Sequence, residues 1–180
     1  MRGKYFNDGF CLGDYSYENS GRTKLGKLIY NFKYKGDTEA GTMLAELLTK
    51  LIQTKFTGLD VLTTVPPSAV SRIFQPVQYL SRMVSIQSNL SWESALLFRT
   101  KLSGGQKRIR SRFAKAKNVA NLFQLKEENK VRGKRILLLD DIYDSGATVN
   151  EICRVLKSKG AHYIGVVTLA KTGFDQYGLS

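Results

Sequence analysis

Two adjacent carboxylates, Asp140 and Asp141, stand just ahead of the run Asp144-Ser145-Gly146-Ala147-Thr148, with only Ile142 and Tyr143 between. The types suit two neighbouring tasks. Ionised aspartates only accept hydrogen bonds, so the pair suits the vicinal hydroxyls of a sugar or a divalent cation carried with a substrate. Ser145 and Thr148 donate from hydroxyls, and Gly146 lets the backbone approach an anion closely. If a helix begins at this run, its first N–H groups lack intrahelical acceptors and its macrodipole adds partial positive charge, which makes the run a phosphate cradle. The plainer alternative is that Asp140 and Asp141 end a strand while Asp144 or Ser145 caps a helix.

The elements that must hold these residues are legible on either side. Ile136 to Leu139 is an apolar run too short for a membrane span, and it reads as a strand buried on both faces that ends in the acidic pair. After the run, Val149, Ile152, Cys153 and Leu156 keep the spacing of one helix face, and Gly160 ends that helix. Tyr163 to Ala170 is a further apolar strand. Upstream, Met1 to Asn19 reads as irregular or short β structure. Ser20 is a cap for a helix with Leu25, Leu28, Ile29 and Phe32 on one face, stopped by Gly36. A second helix follows Asp37 and Thr38, with Ala40, Met43, Leu44, Leu47, Leu48 and Leu51 as its core stripe. Asp60 to Val65 is a strand closed by Pro66-Pro67. Ser68 then caps a helix carrying Val70, Ile73 and Phe74, which Pro76 kinks or restarts before Leu80, Met83 and Val84. Ser94 to Phe98 and Asn118 to Phe123 are strands into and out of a basic stretch, and Lys126 to Arg132 is a polar connection. Strands that alternate with helices and are apolar on both faces predict an α/β fold, a parallel sheet flanked by helices, whose ligands bind beyond the carboxyl ends of the strands.

Charge is unevenly placed. The 180 residues carry a formal net charge of +13. Arg99, Lys101, Lys107, Arg108, Arg110, Arg112, Lys115 and Lys117 follow one another without an acid, and so do Arg22, Lys24, Lys27, Lys33 and Lys35. Two acid-free runs predict a polyanionic partner: pyrophosphate, nucleic acid or both. In the first of them, Ser103-Gly104-Gly105-Gln106 reads as a hinge, so that 99–117 becomes a flexible hood over a charged substrate. Hydrophobic residues at 42% and charged residues at 24% are those of one ordinary globular domain over 1–180. No apolar run approaches a span and no signal peptide is visible, so a cytoplasmic location is expected. Cys11 and Cys153 lie far apart with no second Cys near either, which predicts neither a disulfide framework nor a zinc site.

The stretch Arg135 to Thr148 resembles the phosphoribosyl-diphosphate (PRPP) signature of type I phosphoribosyltransferases, in which apolar residues precede two acids and a Thr/Ser-Gly-x-Thr loop. The resemblance implies that Asp140 and Asp141 face ribose hydroxyls, with Mg²⁺ arriving on PRPP rather than in a protein-only metal site. It implies that Asp144, Ser145, Gly146, Ala147 and Thr148 hold the 5-phosphate, and that Asp144 is a candidate general base, with an N-cap as its rival role. Pro66, Pro67, Ser68 and Arg72 match the loop that receives pyrophosphate, although Arg72 reads equally as a surface residue. Beyond the signature, the chain is similar to the competence protein F (ComF) branch. Leu28-Ile29 with Lys33-Tyr34-Lys35-Gly36 matches that branch's entry, and Val65-Pro66-Pro67-Ser68 its Pro-Val-Pro-Leu segment. Arg99, Gln106, Asn118 and Phe123 follow its order, with Lys101, Lys107 and Arg108 in the hood. Arg72-Ile73-Phe74-Gln75 departs from its Arg-Gly-Phe-Asn, and its N-terminal zinc module has no counterpart in the sequence. The resemblance implies transfer or recognition of a ribose 5-phosphate group. Its alternative is a non-catalytic nucleic-acid-binding accessory in DNA uptake, whose partners would be single-stranded DNA or a DNA-uptake protein; on either reading the chain could pair with a second copy as a homodimer.

Overall fold

The signature strand and its neighbours form a sheet of five parallel strands, β1-β7-β6-β2-β3, in a computed structural model that describes residues 1, 3–18, 21–67, 74–100 and 119–172. The strands are β1 (Asp8–Asp14), β2 (Val61–Thr64), β3 (Ser91–Trp92), β6 (Arg135–Tyr143) and β7 (Tyr163–Lys171). A separate antiparallel pair joins β4 (Leu97–Arg99) to β5 (Phe123–Leu125). The helices are α1 (Lys24–Tyr30), α2 (Thr38–Lys55), α3 (Pro76–Ser88) and α4 (Ala147–Ser158), and a π-helical turn over Asn31–Lys35 follows α1 directly.

Alternation along β6 divides the interior. Leu137 and Leu139 point into a core with α1, α2 and α3 (Ile29, Phe32, Leu44, Leu48, Leu80), while Ile136 and Leu138 point into a second core with α4 and the β4–β5 pair (Val149, Ile152, Leu156, Phe123). All four of these β6 residues are fully buried, so the central strand is apolar on both faces as its composition predicts.

Several boundaries differ from the sequence reading, each for a physical reason. The stretch read as irregular or short β structure contains β1, a seven-residue edge strand paired to β7 from Asp8 to Asp14, so the β alternative is the one found; its glycines hide how long the pairing is, because that comes from the partner strand rather than from local propensity. Strand β6 does not stop at the acids but runs on to Tyr143, because Ile142 and Tyr143 still pair with Ala170 and Lys171. The first helix is capped not from Ser20, which lies outside the described residues, but by Thr23, whose hydroxyl accepts from the Gly26 N–H at 2.9 Å. The stripe of α2 is rotated from the expected one. Gly41, Ala45 and Ile52 are buried with Ala40, Leu44 and Leu48, while Met43 and Leu47 are 53% and 46% exposed. At Gly41 the Phe32 ring of the π turn leaves no room for a side chain, since a Cβ there would lie 2.6 Å from it. Pro76 opens α3 at its first turn, and Phe74 precedes the helix instead of lying in it. The outgoing strand begins at Phe123, after Asn121 in a left-handed conformation.

Candidate functional site

The carboxyl end of β6 carries the acidic pair to one wall of a cleft of about 220 Å³. Its lining combines Asp140 and Asp141 with Val65, Pro66 and Pro67 after β2, Gln75 and Gln78 at the start of α3, Arg99 of β4, Lys33 of the π turn and Thr148 of α4. Residues far apart in sequence meet here because β2 and β6 are neighbours in register, Thr64 opposite Leu139, so the loops after both strands leave the sheet side by side. The Val65 N–H donates to the Leu139 carbonyl at 3.2 Å and holds the two exits together.

The acids differ in their surroundings. The Asp141 N–H donates to Asp140 Oδ1 at 2.9 Å, and Asp141 Oδ2 accepts from Lys33 Nζ at 2.5 Å. Burial, with Asp141's charge adding to it, pushes the Asp140 carboxyl up to about 7; the hydrogen bond from Asp141 N–H and the charges of Lys33 and Arg99 work in the opposite direction. Arg99, half-buried, stacks its guanidinium 4.9 Å from the centre of the Phe123 ring and donates from Nε to the Pro66 carbonyl at 3.4 Å. Burial lowers its affinity for a proton and Asp140 raises it. Carboxylates, an ammonium and a guanidinium thus share one partly dehydrated cleft, where charge interactions are stronger than at a surface.

The loop between β6 and α4 is shaped for close backbone approach. Gly146 is the N-cap of α4 with φ of 73°, and a Cβ at that position would lie 2.3 Å from the Tyr143 hydroxyl oxygen, so both conformation and space exclude a side chain. Ser145 Oγ accepts from the Ala147 N–H at 3.4 Å, and Asn150 Nδ2 donates to the Gly146 carbonyl at 3.0 Å. Asp144 is exposed and accepts from the Thr172 hydroxyl at 2.9 Å, which ties the loop to the end of β7. It is not the helix N-cap, a place taken by Gly146.

Of the residues singled out from sequence, Asp140, Asp141, Thr148, Pro66, Pro67 and Arg99 meet in the cleft, with Ser145 and Gly146 in the loop that enters α4 and Ala147 as the first residue of that helix. Ser68, Arg72, Lys101, Gln106, Lys107 and Arg108 lie outside the described residues. Lys33, Gln75 and Gln78 line the cleft without having been assigned to it. Lys33 carried a usable signal, since it sits in an acid-free run next to Tyr34 and Gly36. The glutamines carried none, because their place depends on where α3 starts.

This combination, a parallel sheet with an acidic pair and a small-residue loop at the end of one strand, is that of a phosphoribosyl-handling fold. The family model for the phosphoribosyl transferase domain matches residues 83–177, more than half of the chain, and the chain belongs to that family. It is 30% identical over 156 residues to the DNA utilization protein YhgH of Escherichia coli (strain K12), spanning 82% of this chain and 67% of that one. The protein of the same name from Salmonella typhi is 28% identical over the same coverage. Among solved structures, adenine phosphoribosyltransferase from Thermoanaerobacter pseudethanolicus shares the fold with a TM-score of 0.50 and 11% identity, over 76% of this chain and 83% of that chain. No helix among the described residues is long and apolar enough to cross a membrane.

Proposed function

We propose that the chain binds PRPP in the cleft at the end of β6 and works as a phosphoribosyltransferase. The observation that carries this reading is the meeting of Asp140, Asp141 and Thr148 with Arg99 and the Pro66-Pro67 loop around one cavity. Asp140 and Asp141 accept from the ribose hydroxyls, and the N–H groups and hydroxyls of Ser145 to Thr148 take the 5-phosphate at the start of α4. Pro66, Pro67, Ser68 and Arg72 are the proposed receivers of pyrophosphate, with Arg99, Lys101, Gln106, Lys107 and Arg108 as the hood.

A nitrogen nucleophile would form a bond to ribose C1 as the C1–oxygen bond to pyrophosphate breaks, with the electron pair leaving on that oxygen. The nucleophile's proton then goes to a base, for which Asp144 is the candidate. Arg99, which lines the cleft, would stabilise charge developing on the departing oxygens, and the cleft would hold the sugar in orientation. Among the described residues no three His, Cys, Asp or Glu side chains cluster as a metal cage. Two hard carboxylates fit a Mg²⁺ that arrives on substrate oxygens, where its charge would add to that of Arg99.

Calorimetric titration of the protein with PRPP and Mg²⁺ tests the reading, and binding at one site is expected. Asp140→Asn with Asp141→Asn should remove most of it, since hydrogen bonds to charged groups contribute about 1.5–3 kcal/mol each. A screen of nucleobases for pyrophosphate release identifies the acceptor. Absence of PRPP binding by the unaltered protein would sink the proposal.

A second reading, a nucleic-acid-binding accessory, is favoured by a particular surface as well as by the DNA utilization relatives. On α1 and the π turn, the Arg22 guanidinium lies 3.9 Å from the centre of the Tyr30 ring, and Tyr30 lies 5.0 Å from Tyr34, which is 57% exposed. Lys24 and Lys27, before these rings in the sequence, and Lys35, after them, are exposed. Cations beside rings suit single strands, which offer phosphates and stackable bases. In single-strand binding followed by fluorescence anisotropy, Lys24→Gln with Lys27→Gln should flatten the dependence of log affinity on log salt by about 0.7 per lost phosphate contact. Affinity unchanged in that variant and in Tyr34→Ala removes this face from consideration.

A further inference from the structure

Lys33 is the one ammonium that enters the cleft among the described residues, and it does so from an unusual element. Its Nζ stands 2.5 Å from Asp141 Oδ2, and the two side chains retain only 11% and 23% of their exposure. The residue before it, Phe32, is fully buried, with its ring edge-on to Phe74 at 5.3 Å and beside Tyr79 at 5.5 Å. Gly36, with φ of 69°, closes the wide turn through its N–H to the Asn31 carbonyl. A π turn holds one more residue than an α turn, so it changes the direction in which the residues after Tyr30 point, and such turns recur where function needs a side chain re-aimed. Here Phe32 goes into the core and Lys33 goes to the acidic pair.

We propose that Lys33 is a resident counter-ion that closes the acidic pair to free divalent cations and is released from Asp141 to the anionic oxygens of an arriving phosphosugar. This rests on the phosphoribosyl reading above for the identity of the ligand, but not for the exclusion of metal. The ammonium already holds Asp141 Oδ2, and in a partly dehydrated cleft a second cation brought to this carboxylate meets its repulsion at short range. Lys33 and Arg99 bring at least as much positive charge to the cleft as the partly protonated acidic pair brings negative, so the cleft does not repel an incoming polyanion. Lysine suits an exchange of partners, because its ammonium is a point charge on a flexible stem with three donors and no fixed fork. Asp141 would thus be open to a Mg²⁺ carried by the substrate only when the substrate's phosphates draw Lys33 away.

The test measures Mn²⁺ alone, as a stand-in for Mg²⁺, binding to the ligand-free protein by the loss of the free-ion electron paramagnetic resonance signal. The unaltered protein and Lys33→Arg should bind weakly, and Lys33→Gln and Lys33→Met should each gain at least tenfold in affinity. That gain should vanish when Asp141→Asn is added. PRPP affinity measured without metal should fall about tenfold in Lys33→Gln. Circular dichroism identifies the folded variants, and Lys33→Met keeps the aliphatic stem if Lys33→Gln does not fold. Tight Mn²⁺ binding by the unaltered protein, or folded Gln and Met variants with unaltered Mn²⁺ affinity, overturns the proposal. Since no PRPP is present in the metal measurement, a failure of the PRPP reading leaves its result distinct.

Discussion

Gly146 combines two constraints that are separable in most proteins. Its left-handed backbone would cost a residue with a Cβ about 1–2 kcal/mol, and the Tyr143 ring fills the space that the Cβ would need. Gly146→Ala should therefore destabilise the protein by about 2–4 kcal/mol when crowding is added to the backbone cost. At about 2–4 °C per kcal/mol for a chain of this size, calorimetry should read a fall in Tm of several degrees. Loss of phosphate affinity is expected beside it, because the same backbone presents the N–H groups at the start of α4. A variant with unchanged Tm and unchanged affinity would show that the loop tolerates a Cβ and that its tightness is incidental.

At the scale of elements, the π turn depends on its packing against α2. Gly41 of α2 stands where a Cβ would come within 2.6 Å of the Phe32 ring. Replacing glycine by alanine inside a helix ordinarily stabilises it by roughly 0.5–1 kcal/mol. Here the opposite sign is expected: Gly41→Ala should cost about 1–3 kcal/mol, since Phe32 is wedged between Phe74 and Tyr79 and has nowhere to move. Denaturant unfolding measures the loss. Displacement of Phe32 would also shift Lys33, so Mn²⁺ binding to Gly41→Ala should move toward that of Lys33→Gln. A stabilised Gly41→Ala would mean that the ring yields easily and that the π turn is held from elsewhere.

For the molecule as a whole, the second core is tied to the chain leaving the basic stretch by one buried acid. Glu151 of α4 accepts from the Asn121 N–H at 2.8 Å and from Arg154 Nε and Nη2 at 2.8 and 2.7 Å. These bonds, Arg154's first, hold its carboxyl below its ordinary value of 4.5 despite burial. The carboxyl therefore binds a proton more weakly in the folded chain than in the unfolded one. The clamp's contribution is fully present above pH 4.5 or so and is lost as pH falls through the lower folded value. Glu151→Gln should lower stability by about 1.5 kcal/mol at neutral pH, the worth of a hydrogen bond to a charged group. The parent and variant curves of stability against pH should converge below that window. A difference that stayed constant into acid would assign the effect to packing and not to ionisation.

The sequence by itself determined the parts whose chemistry is local. Four apolar residues followed by two acids and a small hydroxyl loop can only be a buried strand that delivers carboxylates to a helix start, and Ile136 to Thr148 does this. Residues in the helix after it recur at the spacing of one face, so Val149, Ile152, Cys153 and Leu156 were readable as core. Tertiary structure alone decided what depends on a partner distant in the chain. Strand β1 is a strand because β7 offers its edge, and the burial of Gly41 on α2 goes with the Phe32 ring packed against it rather than with the helix's own apolar pattern. The approach of Lys33 to Asp141 needs the register of β6, the π turn and the pocket for Phe32 together. Periodicity reports one helix or strand at a time, and the cleft lies where several of them end.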